Sequence, residues 1–305
     1  MSKIFEALRK SDGEMAKLAL PVVDGGDVVT AADVPPVSSL TPRAAEPAMA
    51  AHADPPETVW RETPAASAGD VRILPVRIRT DAPILPFQPG HSREGEQYRI
   101  ARTKVIHHPS QPRLVVVSSA GSGDGKTVTA INLAGALALG ADTQVILVEG
   151  DLRRSGIAKL LGLPEQPGMG EYLSGKCGLE DIIIRIEQFP NLSVVLAGKD
   201  SANPVELLES PRFPAVCREF RQRYKFVVFD APPMDTVADY DLIAHQCDGV
   251  VMVVRPDRTD RKLCLEGLAN VPKGKLIGVL MNCVSDWFLW KTNDYYPGTA
   301  VTQHR

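Results

Sequence analysis

A glycine-rich loop that ends in a lysine and a threonine has the clearest chemistry in this sequence. Residues 120–127 spell Ala-Gly-Ser-Gly-Asp-Gly-Lys-Thr. In such a loop backbone N–H groups surround phosphate oxygens, the lysine reaches the outer phosphates, and the threonine hydroxyl binds Mg²⁺. An apolar run before the loop and helical periodicity after it favour this interpretation over a plain glycine turn, although Ala120 replaces the usual first glycine. We therefore expect a nucleoside triphosphate to be held by Gly121, Ser122, Gly123, Asp124, Gly125, Lys126, Thr127 and Val128.

Acidic side chains follow two further apolar runs. Glu149 and Asp151 come after residues 145–148, with Arg153 close behind, and Asp230 comes after residues 226–229. Mg²⁺ bound to a triphosphate needs oxygen ligands, and phosphoryl transfer needs a group that orients or deprotonates the attacking hydroxyl. We expect Thr127, Asp151 and Asp230 to be the metal ligands. The alternative is that each carboxylate only forms a turn.

Short apolar runs alternate with helical patterns and would position these side chains. The runs are residues 114–117, 144–148, 192–196, 226–229, 249–254 and 276–281. Nearly continuous apolar runs are typical of strands that are buried on both faces. The prediction is an α/β fold with a mostly parallel sheet, helices on both faces, and ligands at the carboxyl ends of the strands.

The composition divides the chain into four parts. A short helix is expected over residues 1–19, and a flexible linker rich in Ala and Pro over 20–83, which forms a disordered N-terminal tether. The nucleotide-binding domain is expected over 84–290 and a flexible tail over 291–305. An extended arm on the domain, with residues 71–78 as an edge strand, is the alternative for the linker.

Charge and cysteine content exclude several functions. The net charge is −3 with mixed signs, which argues against nucleic-acid binding. The five cysteines lack CxxC spacing, so neither a zinc site nor a disulfide framework is expected. No apolar run is long enough to span a bilayer, and the charged opening residues do not form a signal peptide, so we expect a cytoplasmic protein.

Three of these motifs together resemble the bacterial tyrosine autokinases of exopolysaccharide biosynthesis. They are the loop at 120–127, Glu149 to Arg153, and Asp230 to Pro233, within a resemblance that covers about residues 90–285. The resemblance implies a P-loop NTPase fold, ATP and Mg²⁺ as cofactors, and protein-tyrosine phosphorylation. Its catalytic residues here would be Lys126, Glu149, Asp151, Arg153 and Asp230.

The resemblance also implies individual roles. Glu149 stands where the family has an aspartate that is thought to accept the tyrosine proton, and it carries one more methylene. Arg153 would hold a phosphate or an acidic neighbour, and Asn282 would contact the adenine.

Assembly and acceptor sites are implied in the same way. Glu96, Arg99 and Arg102 match a segment that joins subunits of the family into a ring, with a solvated helix face as the alternative. Tyr295 and Tyr296 are the expected phosphoacceptors, modified by a neighbouring subunit, although they could belong to an ordinary tail. The expected activator is the cytoplasmic segment of a membrane polysaccharide copolymerase, which would hold the chain at the inner face of the membrane.

Two other functions remain open. Partitioning ATPases share this fold, but they carry a lysine early in the loop where this chain has Gly121. An ATP-switched assembly subunit without kinase activity is compatible with Glu149 and the sparse tyrosine tail.

Overall fold

The computed structural model describes residues 72–78, 92–199, 203–234 and 238–284. All of them belong to the unit formed by residues 61–305. The predicted N-terminal helix, most of the predicted linker, and Tyr295 and Tyr296 lie outside the described residues.

The described part of the chain alternates between strands and helices. The strands are β1 Arg72–Leu74, β2 Leu114–Ser119, β3 Val145–Glu149, β4 Ile184–Ile186, β5 Phe189–Val195, β6 Phe226–Asp230, β7 Gly249–Val254 and β8 Leu276–Met281. The helices are α1 Ser92–Ile106, α2 Lys126–Ala138, α3 Ile157–Leu161, α4 Met169–Leu173, α5 Pro204–Glu209, α6 Arg212–Arg223, α7 Ala238–Gln246 and α8 Arg261–Asn270.

One sheet of eight strands contains all of these strands, in the order β1-β4-β5-β3-β6-β2-β7-β8. Neighbouring strands are parallel except β4 and β5, which are antiparallel. The three strands that precede the predicted motifs, β3, β6 and β2, are therefore adjacent at the centre. This order brings their carboxyl ends together at one edge of the sheet.

Two apolar cores lie on opposite faces of the sheet. One packs α6 and α7 against the sheet through side chains such as Phe213, Phe220 and Tyr240. The other packs α2 and α3 through Ile131, Leu137 and Ile157. Strands β2, β3 and β6 are buried along their whole length, which explains the apolar run that precedes the polar end of each.

The sheet confirms the six predicted strands and adds two. The predicted parallel α/β architecture holds, but β1 and β4 are only three residues long and each contains an arginine, so they lack an apolar run. Strand β1 pairs with β4 at the sheet edge, and Val76 and Ile78 pack on the second core. Residues 72–74 therefore form an edge strand, within the segment 71–78 that the alternative for the linker named.

No helix among the described residues combines the length and apolar character needed to cross a membrane. All five cysteines are free thiols.

Candidate functional site

The three motifs meet because the register of the central strands aligns their ends. Asp230 at the end of β6 is opposite Val117 of β2 on one side and Glu149 of β3 on the other. The Asp230 backbone carbonyl also accepts hydrogen bonds from the backbone N–H groups of Gly150 and Asp151, at 2.8 and 3.1 Å. The carboxylates thus stand beside the glycine-rich loop that follows β2.

The glycine-rich loop has the backbone conformation that its glycines permit. Gly123 and Gly125 have φ angles of 89° and 92°, in the left-handed region that side chains disfavour. Helix α2 starts at Lys126, and no side chain caps its N-terminus. The first N–H groups of this helix can therefore bind phosphate oxygens, assisted by the helix dipole.

Contacts from distant segments brace this loop. The Asp124 carboxylate is 1% exposed. It accepts hydrogen bonds from the Gly121 backbone N–H at 3.1 Å and from the Thr259 hydroxyl at 2.8 Å. The Asn282 side-chain amide donates to the Asp124 backbone carbonyl at 2.9 Å and packs against Gly125, where a side chain would collide with it. Asp124 and Asn282, predicted to bind nucleotide and adenine, hold the shape of the loop in this structure.

Arg258 is a charged side chain beside the loop that sequence reasoning missed. It lies in the segment between β7 and α8, and its guanidinium packs against Gly123. Ser122 and Gly123 are exposed at the same tip of the loop. A cation at this position can reach a phosphate or a ring of the bound nucleotide.

Lys126 joins the carboxylates to the loop. Its Nζ donates a hydrogen bond to Asp151 Oδ2 at 3.0 Å and lies 4.0 Å from Asp230 Oδ1. The other Asp151 oxygen accepts the Arg154 backbone N–H at 3.0 Å. Because Asp151 and Asp230 are 3% and 1% exposed, this cluster of one cation and two carboxylates is shielded from water.

Asp230 is the least satisfied carboxylate of the cluster. Burial raises the pKa of Asp230 to about 7, and Lys126 and a hydrogen bond from Thr127 offset this only partly, while Glu149 and Asp151 raise it further. Its Oδ1 atom is buried and has no hydrogen-bond partner among the described residues. An unpaired carboxylate oxygen beside a threonine hydroxyl and a second carboxylate is a hard oxygen donor set that suits Mg²⁺.

Arg153 is held by an aspartate that sequence reasoning did not single out. Its guanidinium donates to both oxygens of Asp239, at 2.8 and 3.2 Å, and Asp239 is fully buried near the start of α7. The Arg153 side chain is 44% exposed, so one side of it faces solvent. Arg153 thus has the acidic neighbour that the resemblance offered as one of its two roles.

Glu149 differs most from its expected role. Its Oε1 atom accepts the backbone N–H groups of Gly156 and Ile157, and its Oε2 atom accepts the Ala197 N–H at 2.9 Å. The residue is 1% exposed. Both oxygens therefore accept backbone N–H groups inside the protein, and in this conformation the buried carboxylate is not exposed to an incoming tyrosine.

The predicted assembly residues on α1 do not share one environment. Glu96 and Arg99 are exposed and pair with each other at 3.1 Å. Arg102 is half-buried against Gly140, at the end of α2, and its Nε atom has no hydrogen-bond partner in the part of the chain described. Glu96 and Arg99 are available to a partner, whereas Arg102 is largely turned inward.

Sequence signals for the missed residues exist only in part. Arg258 and Thr259 follow β7, so the rule that ligands gather at carboxyl ends of parallel strands points to their segment. Asp239 has no such signal, because it lies in a helix whose contact with Arg153 depends on the packing of α7.

Sequence comparison decides the family. No protein-family model matches the chain. The tyrosine-protein kinase CpsD of Streptococcus agalactiae is 30% identical over 196 residues, which cover 63% of this chain and 83% of CpsD. The chain belongs to the bacterial tyrosine-protein kinase family. The tyrosine-protein kinase Ptk of Acinetobacter johnsonii is 33% identical over 198 residues, 64% of this chain, and the chain spans only 27% of Ptk.

Solved structures agree with membership in this kinase family. The kinase domain of VpsO is 31% identical, with a TM-score of 0.57 over 63% of this chain and 97% of that domain. The chimerical protein CapA2B2 is 29% identical, with a TM-score of 0.63 over 70% of this chain and 95% of the chimera. The tyrosine-kinase fold thus accounts for the sheet and the nucleotide-binding loop described above.

Proposed function

We propose that this chain transfers the γ-phosphoryl group of ATP to protein tyrosine, first of all to its own Tyr295 and Tyr296. The observation that carries the proposal is the meeting of Lys126, Thr127, Asp151 and Asp230 at the ends of three adjacent strands. This arrangement offers the cation and the oxygen ligands that phosphoryl transfer requires, in a site shielded from water.

Each residue has a role that its position supports. The loop amides and the N-terminus of α2 bind the phosphates, and Lys126 turns from Asp151 to the outer phosphates. Thr127, Asp230 and Asp151 hold Mg²⁺ directly or through water, and Mg²⁺ supplies neutralisation of the charge on the phosphoryl oxygens. Arg153, fixed by Asp239, keeps part of its side chain exposed, which leaves it open to a phosphate or to the acceptor.

Removal of the tyrosine proton contributes less to catalysis than positioning and neutralisation of the phosphates. Ionising a free tyrosine at pH 7 costs about 4 kcal/mol. In a loose transition state the attacking oxygen forms little bond before the phosphoryl group departs, so most of the catalysis comes from positioning and electrostatics. Lys126, Thr127, Asp151 and Asp230 can therefore support transfer while the Glu149 oxygens stay engaged, and the tyrosine proton then passes to an oxygen of the transferred phosphoryl group or to water.

We place the reaction in an oligomer at the membrane surface. The exposed pair Glu96 and Arg99 gives a ring of subunits a polar contact on α1. The activator in this proposal is the cytoplasmic segment of a membrane polysaccharide copolymerase, which would hold the chain at the inner face of the membrane. Exopolysaccharide polymerisation and export would be the regulated process.

The test is to incubate the full chain with Mg·ATP, with and without a copolymerase segment, and map phosphate by mass spectrometry. We expect phosphotyrosine at Tyr295 or Tyr296 and its loss in the double variant Tyr295→Phe, Tyr296→Phe. ATP hydrolysis without phosphotyrosine under both conditions would support the second candidate, an ATP-switched assembly subunit, with which the engaged state of Glu149 is equally compatible.

A mixing experiment tests transfer between subunits. One chain carries Lys126→Met and intact tyrosines, and the other carries Tyr295→Phe and Tyr296→Phe with an intact site. Phosphate on the Lys126→Met chain in the mixture, and not on that chain alone, shows transfer in trans. The wild-type chain is measured separately. If it becomes phosphorylated while the Lys126→Met chain in the mixture does not, transfer occurs within one subunit.

A further inference from the structure

Glu149 connects three segments that are separate in the sequence. It is the last residue of β3. Its carboxylate accepts hydrogen bonds from backbone N–H groups at the start of α3 and from the N–H of Ala197, just beyond β5. Gly156 and Ile157 lie seven and eight residues further along the chain, so the side chain closes residues 149–157 into a loop. Asp151 and Arg153 are both carried on that loop.

The closed loop has further attachments to the site. Asp151 receives Lys126 Nζ at 3.0 Å, and Arg153 donates to Asp239 of α7. Gly156, which donates to Glu149, packs against the methyl group of Thr127. The Glu149 hydrogen bonds therefore set the distance between the loop of residues 149–157 and the side chains of Lys126 and Thr127.

Freeing the Glu149 carboxylate would carry a large cost. A shielded N–H that loses its acceptor is costly to leave unpaired, and three would lose theirs together. The length of the side chain also matters, because a carboxylate at the end of β3 must reach N–H groups at the start of α3 and just beyond β5 at the same time. An aspartate is shorter by one methylene, about 1.5 Å along the side chain.

We propose that Glu149 is a positioning residue, which closes the loop of residues 149–157 around Asp151 and Arg153 and does not accept the tyrosine proton. The part that concerns the proton rests on the proposed kinase function. The loop closure stands on the hydrogen bonds alone and can be measured without any phosphoryl transfer.

The first measurement is hydrogen exchange of the full chain, followed by mass spectrometry. Glu149→Ala should speed exchange of the Gly156, Ile157 and Ala197 amides by about tenfold or more, since their acceptor is lost. In Glu149→Gln the side-chain amide oxygen can keep the hydrogen bonds from the Gly156 and Ile157 N–H groups. The NH₂ group faces the Ala197 N–H and cannot accept a hydrogen bond from it. We expect faster exchange at Ala197 only. Glu187→Gln, at an exposed glutamate beyond β4, is the matched control and should change none of the three.

The second measurement is the rate of autophosphorylation with saturating Mg·ATP. Wild type and both Glu149 variants are compared at a temperature at which all three are fully folded. A positioning role predicts rescue by the conservative variant: Glu149→Gln keeps the rate within about tenfold of wild type, and Glu149→Ala loses more. A proton acceptor contributes about 10²–10⁴-fold, and glutamine cannot replace it. A loss of 10²-fold or more in Glu149→Gln, with unchanged exchange at Gly156 and Ile157, would overturn the proposal.

The two measurements separate the two claims. If the wild-type chain forms no phosphotyrosine, the kinase proposal fails, while the exchange data still decide the loop closure. If exchange of the three amides is unchanged in Glu149→Ala, the loop closure fails whatever the kinase activity.

Discussion

Two aspartates at opposite ends of the central strands behave in opposite ways. Asp248 precedes β7 and accepts four hydrogen bonds, from the Arg113 and Leu114 backbone N–H groups and from two nitrogens of Arg221. Burial alone would raise its pKa, but these donors lower the pKa below the ordinary value. Asp230, at the carboxyl edge, keeps an unpaired oxygen and a pKa raised to about 7.

The contrast separates a stabilising carboxylate from a binding one. Asp248 has enough donors to offset its desolvation, so it contributes to folding. Asp230 has too few hydrogen-bond donors, so its Oδ1 atom is available to a ligand that provides positive charge. Four predictions test this difference between the two edges of the sheet.

The largest expected effect is on phosphoryl transfer at the carboxyl edge. Lys126→Met should lower autophosphorylation by about 10³-fold or more, near 4 kcal/mol, because the outer phosphates lose their cation. The measurement is phosphotyrosine formed per minute from Mg·ATP. Lys225→Met, at an exposed lysine before β6, is the matched control and should retain the wild-type rate. Equal rates in the two variants would contradict the site.

The next effect is a pH dependence of stability with opposite signs at the two edges. Because the folded-state pKa of Asp230 is about 7 against an unfolded value of 3.8, the folded chain holds this proton more tightly. Its contribution to stability is present at low pH and is lost as pH rises towards 7. Asp230→Asn should therefore gain stability over wild type, by a few kcal/mol, as pH increases from 5 to 8.

Denaturant unfolding without nucleotide or Mg²⁺, at several pH values, measures this gain. For Asp248 the folded pKa is depressed, so its contribution is present above pH 3.8 and is lost as pH falls through the folded pKa. Asp248→Asn should therefore show a constant difference from wild type between pH 5 and 8. The same constant difference in Asp230→Asn would show that the contrast is wrong.

The third effect concerns the amino edge alone. Asp248→Asn should lower the free energy of unfolding by about 1–3 kcal/mol at pH 7, since Arg221 loses its charged partner. Kinase activity per folded chain should not change, because Asp248 lies at the opposite ends of the strands. Denaturant unfolding measures the stability, and phosphotyrosine formation measures the activity. A lower rate of phosphotyrosine formation with unchanged stability would show that Asp248 acts in catalysis and not in folding.

The smallest effect is on the brace of the glycine-rich loop. Asn282→Ala removes the hydrogen bond to the Asp124 carbonyl, worth about 1 kcal/mol, so the dissociation constant for ATP should rise about fivefold. Titration with a fluorescent ATP analogue measures it. Asn270→Ala, at an exposed asparagine that ends α8, is the control, and an equal change in both variants would exclude the brace.

The fold was largely predictable because buried parallel strands carry a local signature. Strand β7 was predicted over Gly249–Val254 and occupies those residues, of which all but Val254 are buried. Strand β4 was missed, and β1 was foreseen only as an edge-strand alternative within residues 71–78, because three residues with an arginine among them carry no such pattern. Their pairing depends on the rest of the sheet being present.

Sequence alone determined the loop chemistry and the meeting of its partners. The residue types at 120–127 predict phosphate binding, and the rule for carboxyl ends of strands brings Asp151 and Asp230 to the same edge. Tertiary structure decided what each side chain contacts. Glu149 is engaged by N–H groups from α3 and from the end of β5, Arg153 by Asp239 of α7, and Asn282 by the loop itself. A residue type limits the bonds that a side chain can form, but only the packing of distant segments sets which donors and acceptors lie within reach.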